Sequence, residues 1–161
     1  MKVLITGSSG QLGKAVVEVF FKDGMDVYPV PHSRVDITDR NMVDGIIKAY
    51  LPDVVINCSA FTDVDLCERE IDRAFNVNAI GAKNLALASR KYDTHLIHIS
   101  TDYVFDGKKD SPYIEFDRPN PINIYGKSKL EGENFVKTFS QKFTIVRTSW
   151  LYGDGNNFVK K

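Results

Sequence analysis

A short apolar run, Lys2-Val-Leu-Ile-Thr6, passes straight into Gly7-Ser-Ser-Gly-Gln-Leu-Gly13. Leu12, Ala15, Val16, Val19 and Phe20 then recur at helical spacing, and Gly24 supplies a stop. Strand, glycine turn, amphipathic helix is the first half of a parallel crossover unit, and parallel strands can be joined only by such crossovers. The alternation repeats. Met25–Val30, Asp53–Cys58, His95–Ser100 and Phe143–Arg147 read as further strands. Between them lie a helix carrying Met42, Val43, Ile46 and Ile47, one long helix from about Arg69 to Lys91 and a helix from Asn123 to Ser140. The long helix is expected to turn Ile71, Phe75, Ile80, Leu85 and Leu87 to the core, with Asn76 and Asn78 inside it. Repeated β–α alternation with short turns predicts an α/β fold with a doubly wound parallel sheet.

The totals agree with one ordinary domain. The 161 residues are 43% hydrophobic and 26% charged, enough for a core of its own. Lys+Arg and Asp+Glu are both 21, a balance that argues against nucleic acid or an anionic membrane as partner. No apolar run approaches spanning length, and no leader pattern precedes Lys2, so a cytoplasmic protein is expected. Cys58 and Cys67 have neither metal-like nor CxxC spacing, and are read as reduced thiols. His32, His95 and His98 show no ligand spacing either, so no metal site is expected.

The glycine turn points to a nucleotide. Without Cβ atoms, backbone N–H groups at a helix start can approach a pyrophosphate, and the helix dipole favours its charge. The spacing is GxxGxxG rather than GxGxxG, but it stands in full strand–helix context. A Rossmann-type cofactor site that prefers NAD has an acidic residue at the end of the second strand. Here that place holds Pro31-His32-Ser33-Arg34. Arg34 either faces a 2′-phosphate or is a solvated loop residue; the reading leans to NADP(H), with NAD(H) as the second option. Asp36 either caps a helix or accepts a bond from an adenine amino group. Thr38 or Asp39 can cap as well, and capping does not need both Asp36 and Asp39, which favours the adenine role. Ser59-Ala-Phe-Thr62, at the end of the third strand, lies at cofactor height.

The catalytic reading rests on two segments. Ser100-Thr-Asp-Tyr-Val-Phe-Asp-Gly107 leaves the carboxyl end of the fourth strand, where ligands bind in open α/β sheets. Tyr125-Gly-Lys-Ser-Lys129 places a phenol and an ammonium four apart, on one helix face. Lys129 is expected to stabilise the Tyr125 phenolate, and Thr101 to hold a substrate oxygen. Next to a nicotinamide, such a set reduces a ketone. The loop to Ile122, with Pro112, Tyr113, Phe116, Pro119 and Pro121, is suited to forming a wall or lid.

These segments, with Asn57-Cys-Ser-Ala-Phe-Thr-Asp-Val-Asp65, Asn120-Pro-Ile-Asn-Ile-Tyr-Gly-Lys-Ser-Lys-Leu-Glu-Gly-Glu133 and Arg147-Thr-Ser-Trp-Leu-Tyr-Gly153, resemble the dTDP-4-dehydrorhamnose reductase family of extended short-chain dehydrogenases. The resemblance implies reduction of a dTDP-4-keto-deoxysugar with NADPH or NADH. It makes Tyr125 the proton donor, completed by Lys129 and Thr101. It places Gly10, Gln11 and Leu12 along the pyrophosphate, Asp36 and Ile37 at the adenine, and Ala60, Phe61 and Thr62 further along the cofactor, with Gly7, Gly13, Tyr125 and Lys129 also among the cofactor-binding residues. It sets Thr101, Asp102 and Trp150 against the dTDP-sugar. Relatives run to nearly twice this length. Residues 1–148 are therefore read as the NAD(P)-binding part and 149–161 as the start of a substrate-binding region largely missing here, with a helix beginning near Asn156. The alternative is a non-catalytic NADP-binding regulatory subunit, similar to the methionine adenosyltransferase β subunit. Thr101 and Arg147-Thr-Ser-Trp150 keep the reductase form. A related epimerase or dehydratase would need extra acid–base groups, and none stands out. A homodimer stays open.

Overall fold

The computed structural model describes residues 1–153; the helix expected near Asn156 lies outside them. Five strands form one parallel sheet: β1 (Lys2–Thr6), β2 (Asp26–Val30), β3 (Val54–Asn57), β4 (His95–Thr101) and β5 (Phe143–Thr148). Their order is β2-β1-β3-β4-β5. The chain steps from β1 out to β2 and then returns to the other side of β1, so the winding direction reverses between β1 and β3. At such a reversal the crossovers diverge and leave a crevice outside the strand ends. β2 is an edge strand, which explains why Pro29 is tolerated within it: one side of the strand has no ladder to complete.

The two sheet faces are covered unequally. On one side lie α2 (Arg40–Tyr50), α5 (Gly81–Lys91) and α6 (Ile124–Phe139). They bury a core of Leu4, Val55 and Leu96 from the strands against Val43, Ile47, Leu85, Ala86 and Val136. On the other side α1 (Gln11–Lys22) packs Val16, Val17 and Phe20 against Val3, Ile5 and Ile56. Ile97 and Ile99 of β4 stay half-buried on this second side. Asp39 caps α2, accepting from the Asn41 and Met42 amides at 2.8 and 3.1 Å. Asn123 caps α6 through the Gly126 amide at 2.7 Å.

The single long helix expected from Arg69 to Lys91 is instead broken into pieces. α3 (Val64–Arg69), capped by Asp63, ends at Glu70, and α4 (Ile71–Phe75) starts at a new angle. A π-helical turn, Asn76–Ile80, then leads into α5. The kink at Glu70 brings Cys67 and Ala74 onto Tyr125 in a small buried cluster. It also turns Ile71 outward, leaving it 46% exposed rather than in the core. Phe75, Ile80 and Leu87 are half-buried, and Leu85 is fully buried. The π turn carries the side chain of Asn78 inward, where it is 1% exposed. π turns of this kind occur mostly where a helix has a local task.

Candidate active site

β1 ends at the winding reversal, and Gly7 makes that end possible. Its φ is +66°, and a Cβ there would meet the Ser59 amide nitrogen at 2.7 Å and the Cys58 carbonyl oxygen at 2.9 Å. Only glycine lets the ends of β1 and β3 close together in this way. Gly13 allows a second close approach, of α1 onto the Gly7 carbonyl and the Ser8 backbone. Gly10, the residue before α1, has no side chain to cap it, and the first turn of α1 holds no acidic residue. The helix start therefore presents its positive end to the crevice.

The crevice is a cleft of about 670 Å³. Gly10, Gln11, Leu12 and Gly13 line it from α1, and Cys58, Ser59, Ala60 and Thr62 from the end of β3. Thr101, Asp102, Tyr125 and Lys129 line its far end together with Thr148 and Trp150. Most of the residues singled out from sequence thus converge on one cavity. Trp150 is 70% exposed and has a φ of +53°.

Five singled-out residues lie elsewhere. Gly7 sits beneath the cavity wall as the turn just described. Phe61 is packed against the Cys67, Ala74 and Tyr125 cluster, with the Arg73 guanidinium 4.5 Å from its ring centroid. Asp36 is turned onto its own loop, accepting from the Thr38 amide at 2.9 Å and the Thr38 hydroxyl at 2.8 Å. The amide bond holds its carboxyl below the ordinary range, against the opposing effect of burial. It does not cap α2, since Asp39 does. Ile37 is a core residue, 3% exposed, and its carbonyl accepts from Asn84. Arg34 lays its guanidinium over the Tyr28 ring at 4.8 Å, beyond the end of β2.

At the far end, Lys129 is 2% exposed and donates to the Ile99 carbonyl at 2.6 Å. Burial pulls it down to about 8, while Glu133 and Cys58 act to raise it. Burial likewise pushes the Tyr125 phenol up; hydrogen bonding with Thr101 opposes this, and Asp102, Cys67 and Tyr103 add to it. The expected lowering of Tyr125 by Lys129 is therefore not found. The ammonium is turned to Ile99, and desolvation decides the direction. Tyr125 is a protonated phenol at neutral pH. Thr101 donates to Asp102 at 3.1 Å and accepts from the Tyr103 amide at 3.2 Å. Asp102 also accepts from Ser149 at 2.7 Å, which ties the ends of β4 and β5 together.

Of the supports of this site, the sequence marks only Asn78, as one of two asparagines inside a helical pattern of which one is a candidate for a positional role. Asn78 accepts from the Phe61 amide at 2.8 Å, and donates to the Phe61 carbonyl and to Ser128, both at 3.0 Å. Ser128 in turn donates to the Tyr125 carbonyl at 2.8 Å. Asn78 thus clamps the wall after β3 to the helix that carries Tyr125. Tyr103, edge-on to Tyr125 with ring centroids 5.5 Å apart, was not singled out.

Fold and cleft together define a Rossmann-like α/β protein whose cleft lies at the β1/β3 reversal. The chain belongs to the family described as the RmlD substrate binding domain, whose profile matches residues 1–161. It is 45% identical over 161 residues to a dTDP-4-dehydrorhamnose reductase of Aggregatibacter actinomycetemcomitans, covering 99% of this chain and 55% of that protein. The crystal structure of a dTDP-4-dehydrorhamnose reductase from Clostridium acetobutylicum superimposes with a TM-score of 0.97 at 51% identity, over 99% of this chain and 57% of the other. A Bacillus anthracis dTDP-4-dehydrorhamnose reductase solved in complex with NADP gives 0.96 at 49%, with coverages of 99% and 57%. The chain thus spans little more than half the length of the relatives it matches.

Asn78→Ala leaves the Phe61 amide and carbonyl without their partner. It should destabilise the chain by about 1–3 kcal/mol in urea unfolding; a loss below the scatter of surface substitutions would show that the clamp carries no weight.

Proposed function

We propose that this chain is the cofactor-binding and proton-donating part of an NAD(P)H-dependent reductase of nucleotide-sugar biosynthesis. Its reaction is reduction of the 4-keto group of dTDP-4-dehydro-L-rhamnose to dTDP-L-rhamnose. The observation that carries this reading is the meeting of a capless glycine-lined helix start with Tyr125, Lys129 and Thr101 in one cleft. The relatives named dTDP-4-dehydrorhamnose reductase, one of them solved with NADP, support it. In this reading residues 1–148 are the dinucleotide-binding part and the chain from 149 leads into the sugar-binding region.

The residues present fit a dinucleotide. Gly7 and Gly13 let the backbones beneath the cleft close up on one another, and the start of α1 offers amides and a positive dipole to a pyrophosphate. Gln11 and Leu12 line that end, and Ala60 and Thr62 flank the strand-end crossing. Phe61, Asp36 and Ile37 complete the proposed cofactor path through their backbone and loop. A bound nicotinamide supplies the hydride. Tyr125 holds the proton that the carbonyl oxygen needs, and its raised pKa keeps it in the acid form that reduction consumes. Thr101, beside it, orients that oxygen. Lys129, buried and cationic below pH 8 or so, lies in the same cleft, where it is placed to bond the nicotinamide ribose. Asp102 and Trp150 stand where the sugar nucleotide would rest.

The test uses a chain extended to the relatives' length. Tyr125→Phe should lower kcat at least about 10²-fold, the ordinary worth of a positioned general acid, with NADPH affinity nearly unchanged. Full activity of that variant would overturn the proton-donor role. NADPH binding with no turnover by the unsubstituted extended chain would favour a binding module instead.

Cofactor preference is proposed to rest on Arg34, which stands past the end of β2 where no carboxylate is present. Arg34→Ala should weaken NADPH about tenfold or more, the worth of a charge-assisted bond to phosphate, and leave NADH unchanged. Equal loss for both cofactors, or none, would remove Arg34 from the 2′-phosphate site.

A further inference from the structure

Tyr125, Lys129 and Glu133 stand at i, i+4 and i+8, one stripe along α6. Tyr125 and Lys129 reach the cleft; Glu133 is one turn deeper and 0% exposed. A buried carboxylate must be fully partnered to survive there. Glu133 Oε1 accepts from Ser100 Oγ at 2.7 Å and Arg147 Nε at 2.8 Å. Its Oε2 accepts from Arg147 Nη2 at 2.6 Å and Lys137 Nζ at 3.4 Å. β4, β5 and α6 are thereby pinned at one point. The sequence gives this residue no special mark, since a glutamate in a helix usually faces water.

The surroundings of Lys129 leave it little other negative charge. From β4 come the Ile99 carbonyl, which takes its hydrogen bond, and His98. The imidazole of His98 is neutral. The Ser59 amide can only donate, which fixes the Asn57 oxygen toward it, so Asn57 Nδ2 donates to His98 Nδ1. Burial, then Lys129 itself, hold His98 well below its ordinary value. From just past the end of β3 comes Cys58, whose thiol burial pushes up to about 11, so it is uncharged at neutral pH. From α6 itself come Tyr125, a neutral phenol, and Lys137; from β5 comes Arg147, locked on Glu133. The π turn offers only the neutral Asn78.

We propose that Glu133 is a positioning residue of the reductase site, the counter-charge that keeps the buried Lys129 protonated and its helix turn in register beneath the cleft. This deepens the reductase reading and rests on it for its catalytic meaning. The charge relation itself can be measured without substrate. Arg147 is then the group that makes Glu133 tolerable in the interior: it supplies a two-point grip, and its guanidinium is backed by the Phe105 ring at 4.9 Å.

The experiment is a pH titration of Lys129 in this chain, followed by the carbon-13 shift of its ε-carbon, the resonance being assigned by its absence in Lys129→Met. In the unsubstituted chain Lys129 should titrate near 8. In Glu133→Gln it should titrate lower by about one pH unit or more, the usual effect of losing a nearby opposite charge. Glu133→Gln strands Arg147 and can unfold the chain, so Glu133→Gln/Arg147→Met is measured beside it. The double variant, freed of both buried charges, should fold, and its Lys129 should titrate lower than in Arg147→Met alone, the comparison that removes the effect of the arginine charge. A Lys129 titration unchanged in folded Glu133→Gln, or equal in the double variant and in Arg147→Met, would overturn the proposal, as would an ordinary lysine value in the unsubstituted chain. A merely structural Glu133 would change stability in the single variant and leave Lys129 titrating alike in the double variant and in Arg147→Met. Loss of the proposal in this way leaves the Tyr125→Phe assay, and the reductase reading with it, standing on its own.

Discussion

The structure depends on how closely the ends of β1 and β3 approach each other. The chain turns back on itself there, and the missing side chain at Gly7 lets the Cys58 and Ser59 backbone come within contact distance. Sheet order and turn chemistry act on the same point. The order β2-β1-β3 makes a crevice, and Gly7 and Gly13 let the backbones at its base close together. The start of α1 is then the natural floor for an anion. Widening that approach would separate the α1 end of the cleft from the Tyr125 end, and the two halves of the site would no longer serve one extended ligand.

The second half of the site is governed by desolvation. Burial drives Tyr125 toward its neutral acid and Lys129 toward its neutral base. For the phenol this direction suits a proton donor. For the lysine it works against the cation, and a counter-charge is needed to oppose it. The polar groups behind the cleft follow from this demand. Ser100, Arg147 and Glu133 form one buried network, and Thr6, Asn57 and His98 another. The first keeps its buried polar atoms partnered, whereas His98 Nε2 in the second has no partner; both fix strand ends whose neighbours line the cavity. Linkage gives the lysine a sign as well. Its folded pKa lies below its ordinary value of 10.5, so the unfolded chain binds the extra proton between about 8 and that value, and stability rises with pH across that window.

Much of the architecture was legible because parallel strands have a plain signature. Val3, Leu4, Val55 and Leu96 stand in short apolar runs, and each run is followed by a turn and a periodic helix. The strand-end residues Thr101 and Ala60 and the Tyr125–Lys129 pair could be placed from that pattern alone. What sequence did not yield were features set by three-dimensional demand. Nothing local at Glu70 marks a break; no glycine or proline is there, and the kink is fixed by packing Cys67 and Ala74 onto Tyr125. The π turn is fixed by what Asn78 must reach. Asp36 read as a cap or an adenine contact because its Thr38 partner, two residues on, makes a local turn that competes with both. Lys129 was taken as a neighbour acting on Tyr125, whereas its ammonium is turned onto the Ile99 carbonyl.

In the proposed function the pyrophosphate and nicotinamide ends of a dinucleotide lie along one cleft, from the start of α1 to the Tyr125–Lys129 turn of α6. Backbone amide shift mapping of this chain with added NADPH tests it most directly. The account predicts saturable shifts at Gly10–Gly13, Ala60–Thr62 and Thr101, and at the α6 turn bearing Tyr125 and Lys129. Shifts confined to the outer side of β5, or none at millimolar NADPH, would contradict it.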